Sequence, residues 1–189
     1  MLDFLPVVIR DWLIISFLTF LTTAIFYYAF KKDEQFIRWG ALIFLVMTSA
    51  LFSFNFWIFA FLLVVIIRIF LYNQSNLAKA ATFLILLPLI PVNIFFTIPL
   101  GSHNPSFNYQ MIISWIILLP LFFKYIIDKK KTLFQYRLDK WLTVFFVFVF
   151  LLNFRSSPFL HSLWIGFANF STSFLVYFVI SRVIGEYKK

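Results

Sequence analysis

Long apolar segments alternate with short polar ones along this chain, and the apolar segments are about as long as a lipid bilayer is thick. The hydrocarbon core of a bilayer is about 30 Å thick, which takes roughly 20 residues of α-helix to cross. Seven apolar segments approach this length: residues 12–30, 37–52, 56–71, 80–100, 111–127, 141–153 and 163–183. The pattern predicts an all-α, polytopic integral membrane protein with about seven transmembrane helices, within a range of six to eight.

The stretch 37–72 has two interpretations. It is too long for one crossing and slightly short for two, and the run 52–57 resembles the tight turn of a helical hairpin. Two helices separate the charges between the two sides of the membrane better than one long helix does. We therefore prefer two crossings here and keep a single long helix as the alternative.

Segment 80–100 is predicted to be an irregular helix. Pro88, Pro91 and Pro99 lack backbone donors and clash with preceding carbonyl groups, so a straight helix is not expected. Asn93 lies between them. The segment is interpreted either as a kinked packing helix, which is the favoured choice, or as an element that lines a substrate path. The loop 101–106 that follows is rich in turn-forming residues.

The basic residues fall mainly on one side of this ladder of helices. Of the sixteen lysines and arginines, only Arg10 and Arg155 lie on the other side when the connecting segments are assigned alternately. Because cytoplasmic loops are enriched in Lys and Arg, loop 124–140 is predicted to be cytoplasmic and loop 101–106 to be outside. The N-terminus is then outside and the C-terminus cytoplasmic. The first helix has no signal-peptide pattern and is expected to be retained.

Composition restricts the class of protein further. With 63% hydrophobic and 12% charged residues, the chain has too little polar surface for a soluble globule. The net charge of +9 is spread over the loops, so anionic lipid headgroups explain it better than nucleic acid does. The absence of cysteine excludes disulfides and thiolate metal sites. We expect a single transmembrane helical domain over residues 1–189, whose main partner is the lipid bilayer.

The ionisable residues offer few candidates for chemistry. All seven carboxylates lie at segment ends or in loops, which argues against a proton-coupled transporter with a buried acid. With two histidines, no metal site and no cofactor are expected. Arg68 and Arg182 are expected to extend towards the inner headgroups. The polar run 169–173 inside the last segment is predicted to hold helices together.

Arg155 and His161 form the one cluster predicted to bind a ligand. They flank the outer loop between the last two segments. A guanidinium group suits a phosphate or diphosphate because its planar fork binds two oxygens at once. The pair is therefore a candidate site for a lipid diphosphate. The alternative is that Arg155 extends to the outer headgroups and His161 begins a helix.

From Leu84 onward, the order of features resembles the amino-terminal half of the O-antigen ligase and O-antigen polymerase (Wzy-like) membrane glycosyltransferase superfamily. The resemblance rests on the runs 88–91, 118–121, 138–141 and 155–158, and on a last segment that ends in the run 177–182. In particular, an acid precedes a short helix that begins with an aromatic residue, and the last helix ends near Ser181 and Arg182. The resemblance covers roughly the last hundred residues.

This resemblance implies a role in bacterial surface-polysaccharide assembly at the inner membrane. Members of the superfamily transfer a glycan from a polyprenyl-diphosphate carrier to an acceptor on the outer face. They are about twice this long, and their functional arginines and histidine lie largely in a loop beyond the equivalent of Lys189. The resemblance therefore implies a chain that is inactive alone, with unknown catalytic residues and with a C-terminal half or partner subunit elsewhere. The alternative is a non-enzymatic membrane subunit or a small transporter component.

Overall fold

The computed structural model of this protein describes residues 4–30, 34–53, 55–90, 95–98, 105–127, 136–156 and 158–187. The apolar pattern predicted an all-α protein, and within these ranges the chain is helical apart from one short β-hairpin. The chain separates into two compact units, Met1–Gln74 (unit 1) and Ser75–Lys189 (unit 2). Each unit is described by itself.

Unit 1 consists of three helices: α1 (Phe4–Ala29), α2 (Glu34–Phe52) and α3 (Phe56–Leu71). The stretch 37–72 therefore forms two helices, as the hairpin interpretation predicted. Asn55 caps the start of α3, where its side-chain oxygen accepts a hydrogen bond from the Trp57 N–H at 2.8 Å. Asparagine is among the best N-cap residues because its side chain satisfies a free N–H in the first helical turn.

Helices α1 and α2 approach each other closely at Gly40. A Cβ atom at this position would lie 2.9 Å from the Cβ of Thr23, which is closer than real side chains come. The same two helices are joined by a hydrogen bond from Trp12 Nε1 to Thr48 Oγ1 at 3.2 Å. Small residues that allow close backbone approach and hydroxyl groups that bond across helices are typical of helix pairs in membranes.

Unit 2 begins with α4 (Asn76–Leu86), which is much shorter than the segment predicted at 80–100. Ser75 caps it by accepting from the Ala78 N–H at 3.2 Å. The helix ends two residues before Pro88, since a proline cannot donate the next helical hydrogen bond. Instead of an irregular helix through residue 100, the chain turns and then forms a two-stranded antiparallel sheet. Pro91, Asn93 and Pro99 lie outside the described residues.

The hairpin pairs β1 (Phe95–Thr97) with β2 (Ser106–Asn108), so that Phe96 lies opposite Phe107. Asn108 then caps the following helix by accepting from the Met111 N–H at 2.9 Å. Of the predicted outer loop 101–106, including His103, only its last two residues are described.

Two long continuous helices form the core of unit 2. The first runs through α5 (Tyr109–Ile113), a π-helical turn (Ser114–Leu118) and α6 (Leu119–Ile127). The second runs through α8 (Phe159–Asn169), a π-helical turn (Phe170–Phe174) and α9 (Leu175–Tyr187). Helix α7 (Arg137–Ser156) precedes the second and packs against α8. The predicted segments 111–127, 141–153 and 163–183 therefore all fall on helices.

Four of the described helices are long and apolar enough to cross a membrane: Val7–Ala29, Glu34–Phe52, Tyr109–Ile127 and Phe159–Glu186. Helices α3 and α4 are apolar but shorter. Much of the surface of α1 is apolar, including Phe20 at 75% exposure. Large exposed apolar surface is unfavourable in water and is normal where lipid surrounds a helix. The structure thus has the character of an integral membrane protein with transmembrane helices.

Candidate functional site

The two residues predicted to bind a lipid diphosphate lie on either side of the turn between α7 and α8. Arg155 is exposed in the last turn of α7, and His161 is partly buried in the first turn of α8. Close to this turn, a hydrogen bond from Ser162 Oγ to the Asn153 carbonyl oxygen at 2.9 Å joins α8 to α7, and the two helices form a helical hairpin. At 3.6 residues per turn, Arg155 lies about 140° around α7 from Phe150, which faces Gly166 of α8. Arg155 therefore points away from the α7–α8 contact.

The most highly organised polar cluster lies at the opposite end of α7. Asp139 and Arg182 form a two-pronged ion pair, with Nη2 2.6 Å from Oδ2 and Nη1 3.1 Å from Oδ1. The side chains are 3% and 0% exposed, respectively. This geometry, with two parallel charged hydrogen bonds, is the strongest that an arginine and a carboxylate form.

Two further donors complete the coordination of the Asp139 carboxylate. The Tyr177 hydroxyl donates to Oδ1 at 2.9 Å, and the Tyr136 backbone N–H donates to Oδ2 at 2.8 Å. The second bond is half of a capping box, in which an acid in the first helical turn reaches back to the N-cap N–H. Asp139 therefore caps the N-terminus of α7 and at the same time joins α7 to α9.

Arg182 has aromatic and hydroxyl neighbours as well. Its Cζ lies 3.9 Å from the centre of the Phe178 ring and 5.4 Å from that of Tyr136. Its Nη1 also donates to Ser181 Oγ at 2.8 Å. Arginine tolerates burial against aromatic faces better than lysine because its delocalised charge is weakly hydrated.

The electrostatic environment keeps Asp139 ionised. Burial raises the pKa of the Asp139 carboxyl, but the hydrogen bonds from Arg182, from the Tyr136 N–H and from Tyr177, together with the Arg182 charge, outweigh burial. Its pKa consequently lies below the usual value. A carboxylate held by four donors is a poor proton acceptor, so this cluster is suited to joining helices and not to general base catalysis.

Arg182 corrects one expectation from the sequence. It was expected to extend to the headgroups, but it is 2% exposed and paired inside unit 2. Arg68, for which the same was expected, is exposed. A signal for the difference exists in the sequence, because Arg182 continues the helical series of buried residues on α9: Leu175, Phe178, Val179 and Val183.

A second polar network lies at the same end of unit 2. The Tyr125 hydroxyl donates to Glu186 Oε2 at 2.8 Å and accepts from Asn76 Nδ2 at 3.3 Å. Lys124 Nζ donates to Asn76 Oδ1 at 3.3 Å. The network joins the start of α4, the end of α6 and the end of α9. Since Glu186 lies one helical turn after Arg182, the two polar clusters are neighbours on α9.

Deeper in unit 2, the π-helical turns are joined by a hydrogen bond from Trp115 Nε1 to Ser171 Oγ at 3.0 Å. Ser171 is 1% exposed and belongs to the polar run 169–173. The prediction that this run holds helices together is thus confirmed at Ser171. Across the described ranges, no group of three or more His, Cys, Asp or Glu side chains is arranged to hold a metal ion.

Comparisons of this chain with protein families, with curated proteins and with solved structures found no match.

Proposed function

We propose that this chain is a protein of the bacterial inner membrane with about seven crossings, an outer N-terminus and a cytoplasmic C-terminus. The four long apolar helices supply four crossings. Helix α3 has 16 residues, which correspond to about 24 Å at 1.5 Å per residue, and α7 contains the predicted crossing 141–153. The seventh crossing begins with α4 and continues through the chain that follows it.

The bonding at one end of unit 2 supports this orientation. Hydrogen bonds bring together Asn76, Tyr125 and Glu186, and the Asp139–Arg182 pair lies one turn away. The segments that begin or end here therefore share one side, as the alternation of crossings requires. These same segments carry most of the lysines and arginines in unit 2, which favours the cytoplasm for this side.

The α7–α8 hairpin is the feature that best supports a role in surface-polysaccharide assembly. An apolar groove of about 480 Å³ runs between these helices, and five phenylalanines line it, among them Phe146, Phe150, Phe167 and Phe170. Arg155 lies about 7.5 Å beyond Phe150 along α7 and about 140° around the helix from it, so it stands at the end of the groove and off the face that α7 turns to α8. A polyprenyl-diphosphate-linked glycan needs an apolar surface for its isoprenoid chain and a cation for its diphosphate. The groove offers the first, and Arg155, just beyond the end of the groove, offers the second.

The resemblance to the amino-terminal half of the O-antigen ligase and polymerase superfamily agrees with this role. Two of the polar residues that carry the resemblance, Asp139 and Arg182, bond to each other. The joining of two helices is enough to explain this motif, and no catalytic role is needed. The groups that stabilise a leaving diphosphate would then come from a C-terminal half or a partner subunit. A membrane subunit with no link to glycans, or a small transporter component, is the alternative.

Binding of a polyprenyl diphosphate in nanodiscs tests the proposal. Arg155→Ala should lower the affinity about ten- to a hundredfold, because a hydrogen bond to a charged group contributes roughly 1.5–3 kcal/mol. Arg155→Lys should recover part of it, since lysine lacks the planar fork. Arg10→Ala, at the other basic residue proposed to lie outside, is the control. Equal affinity in wild type and both Arg155 variants would contradict the proposed site.

Two further measurements separate the proposal from its alternative. Loss of the gene should remove or shorten the surface polysaccharide of the bacterium, and restoration of the gene should reverse this. The purified chain, supplied with a lipid-diphosphate glycan and an acceptor, should form no product. An unchanged polysaccharide profile would favour the transporter or subunit, and turnover that depends on Arg155 would place the active site in this chain.

A further inference from the structure

Four helix ends meet at one end of unit 2, and hydrogen bonds hold them there. The Lys124–Asn76 and Tyr125–Glu186 bonds tie the end of α6 to the start of α4 and the end of α9. The Asp139–Arg182 pair adds the start of α7. Residues next to these bonds are therefore close in space although they are distant in sequence.

The acidic side chains described at this end are both engaged in internal bonds. Asp139 neutralises the charge of Arg182, and both side chains are buried. Glu186 accepts from the Tyr125 hydroxyl, a neutral donor that is itself buried.

Among the described residues, three lysines lie within three positions of these bonded side chains, and we name them the lysine rim: Lys79, Lys124 and Lys140. Lys124 and Lys140 are exposed and Lys79 is partly so. Lys124 bonds to the neutral amide of Asn76, so its charge is not cancelled. Lys140 is followed by Trp141, which is 68% exposed. Tryptophan beside a basic residue is typical of the level of the lipid headgroups.

We propose that the lysine rim binds the headgroups of anionic phospholipids. The rim is positively charged and lies where the exposed apolar helix surfaces of unit 2 end, so a ligand with a negative headgroup and an apolar tail fits it. A lipid phosphate is the anion present at that depth, and its acyl chains suit the apolar helix surfaces below. Each basic residue near a membrane surface favours anionic lipid by a factor of about five. The inference needs only the membrane setting and does not depend on any role in glycan assembly.

Titration of the detergent-purified full chain, followed by native mass spectrometry, tests this. The probes are phosphatidylglycerol, which is anionic, and phosphatidylcholine, which has the same phosphate but no net charge. Wild type should bind phosphatidylglycerol about a hundredfold more tightly than phosphatidylcholine. The triple variant Lys79→Gln, Lys124→Gln and Lys140→Gln should lose about a hundredfold in affinity for phosphatidylglycerol, with phosphatidylcholine unchanged. Added salt should weaken the selective binding.

Three further variants complete the test. Lys140→Gln alone, at an exposed side chain whose replacement leaves the core intact, should lose about fivefold. Arg10→Gln removes one positive charge from an exposed arginine of unit 1 and should leave the affinity unchanged. Replacing the three lysines by arginine should preserve selective binding. Equal affinity of wild type for the two lipids, or unchanged phosphatidylglycerol binding in the glutamine variants, would overturn the proposal.

Discussion

Replacing Arg182 by methionine should destabilise unit 2 strongly. The substitution leaves the Asp139 carboxylate, which is 3% exposed, with only the Tyr177 hydroxyl and the Tyr136 N–H as donors. Removing one partner of a buried ion pair costs about 3–5 kcal/mol, because the remaining charge is buried without compensation. That is a large part of the 5–15 kcal/mol by which proteins are typically stable. Replacing both residues, with Asp139→Leu and Arg182→Met, should restore most of the loss.

The free energy of unfolding in mixed micelles, measured by circular dichroism during titration with a denaturing detergent, provides the assay. The exposed pair Arg10–Asp11 is the matched control, because its side chains are 69% and 44% exposed and its closest N–O distance is 3.3 Å. Arg10→Met should therefore cost less than about 1 kcal/mol. A cost for Arg182→Met as small as that of the control, or a double variant as unstable as the sum of the single ones, would refute the reasoning.

Three further predictions concern acid, helix contact and the π-helical turns. The pKa of Asp139 is lowered from 3.8 in the folded protein, so the ionised carboxylate stabilises the fold above this pH. This stabilisation is lost as the pH falls through the folded-state pKa of Asp139. Acid titration of wild type and Asp139→Asn should show this loss only in wild type. Gly40→Ala should lower the free energy of unfolding by about 1–3 kcal/mol, since its Cβ meets Thr23, and adding Thr23→Ala should recover part. Trp115→Phe should cost about 0.5–1.5 kcal/mol in the same assay, through loss of its bond to Ser171, and no loss would show that the bond contributes nothing.

Much of the secondary structure was predictable because local sequence decides where a helix begins and ends. The run 52–57 resembled a tight turn and supported two helices in the stretch 37–72, and Asn55 in this run caps α3. Pro88 lacks an N–H, so the helix before it had to stop or kink. The sequence did not indicate which of these happens, and the β-hairpin that replaces the irregular helix depends on pairing between residues 9 to 13 positions apart.

The sequence alone determined the apolar segments, the unequal distribution of basic residues and the membrane character of the chain. These follow from composition and periodicity, which need no knowledge of neighbours. Only the tertiary structure decided which charged side chains are buried and which are exposed. Asp139 and Arg182 are 43 residues apart, and a charge near a helix end can extend to the headgroups or turn inward. Burial of Asp139 becomes favourable only when Arg182, the Tyr177 hydroxyl and the Tyr136 N–H all lie next to its carboxylate. Their positions depend on how α7 packs against α9.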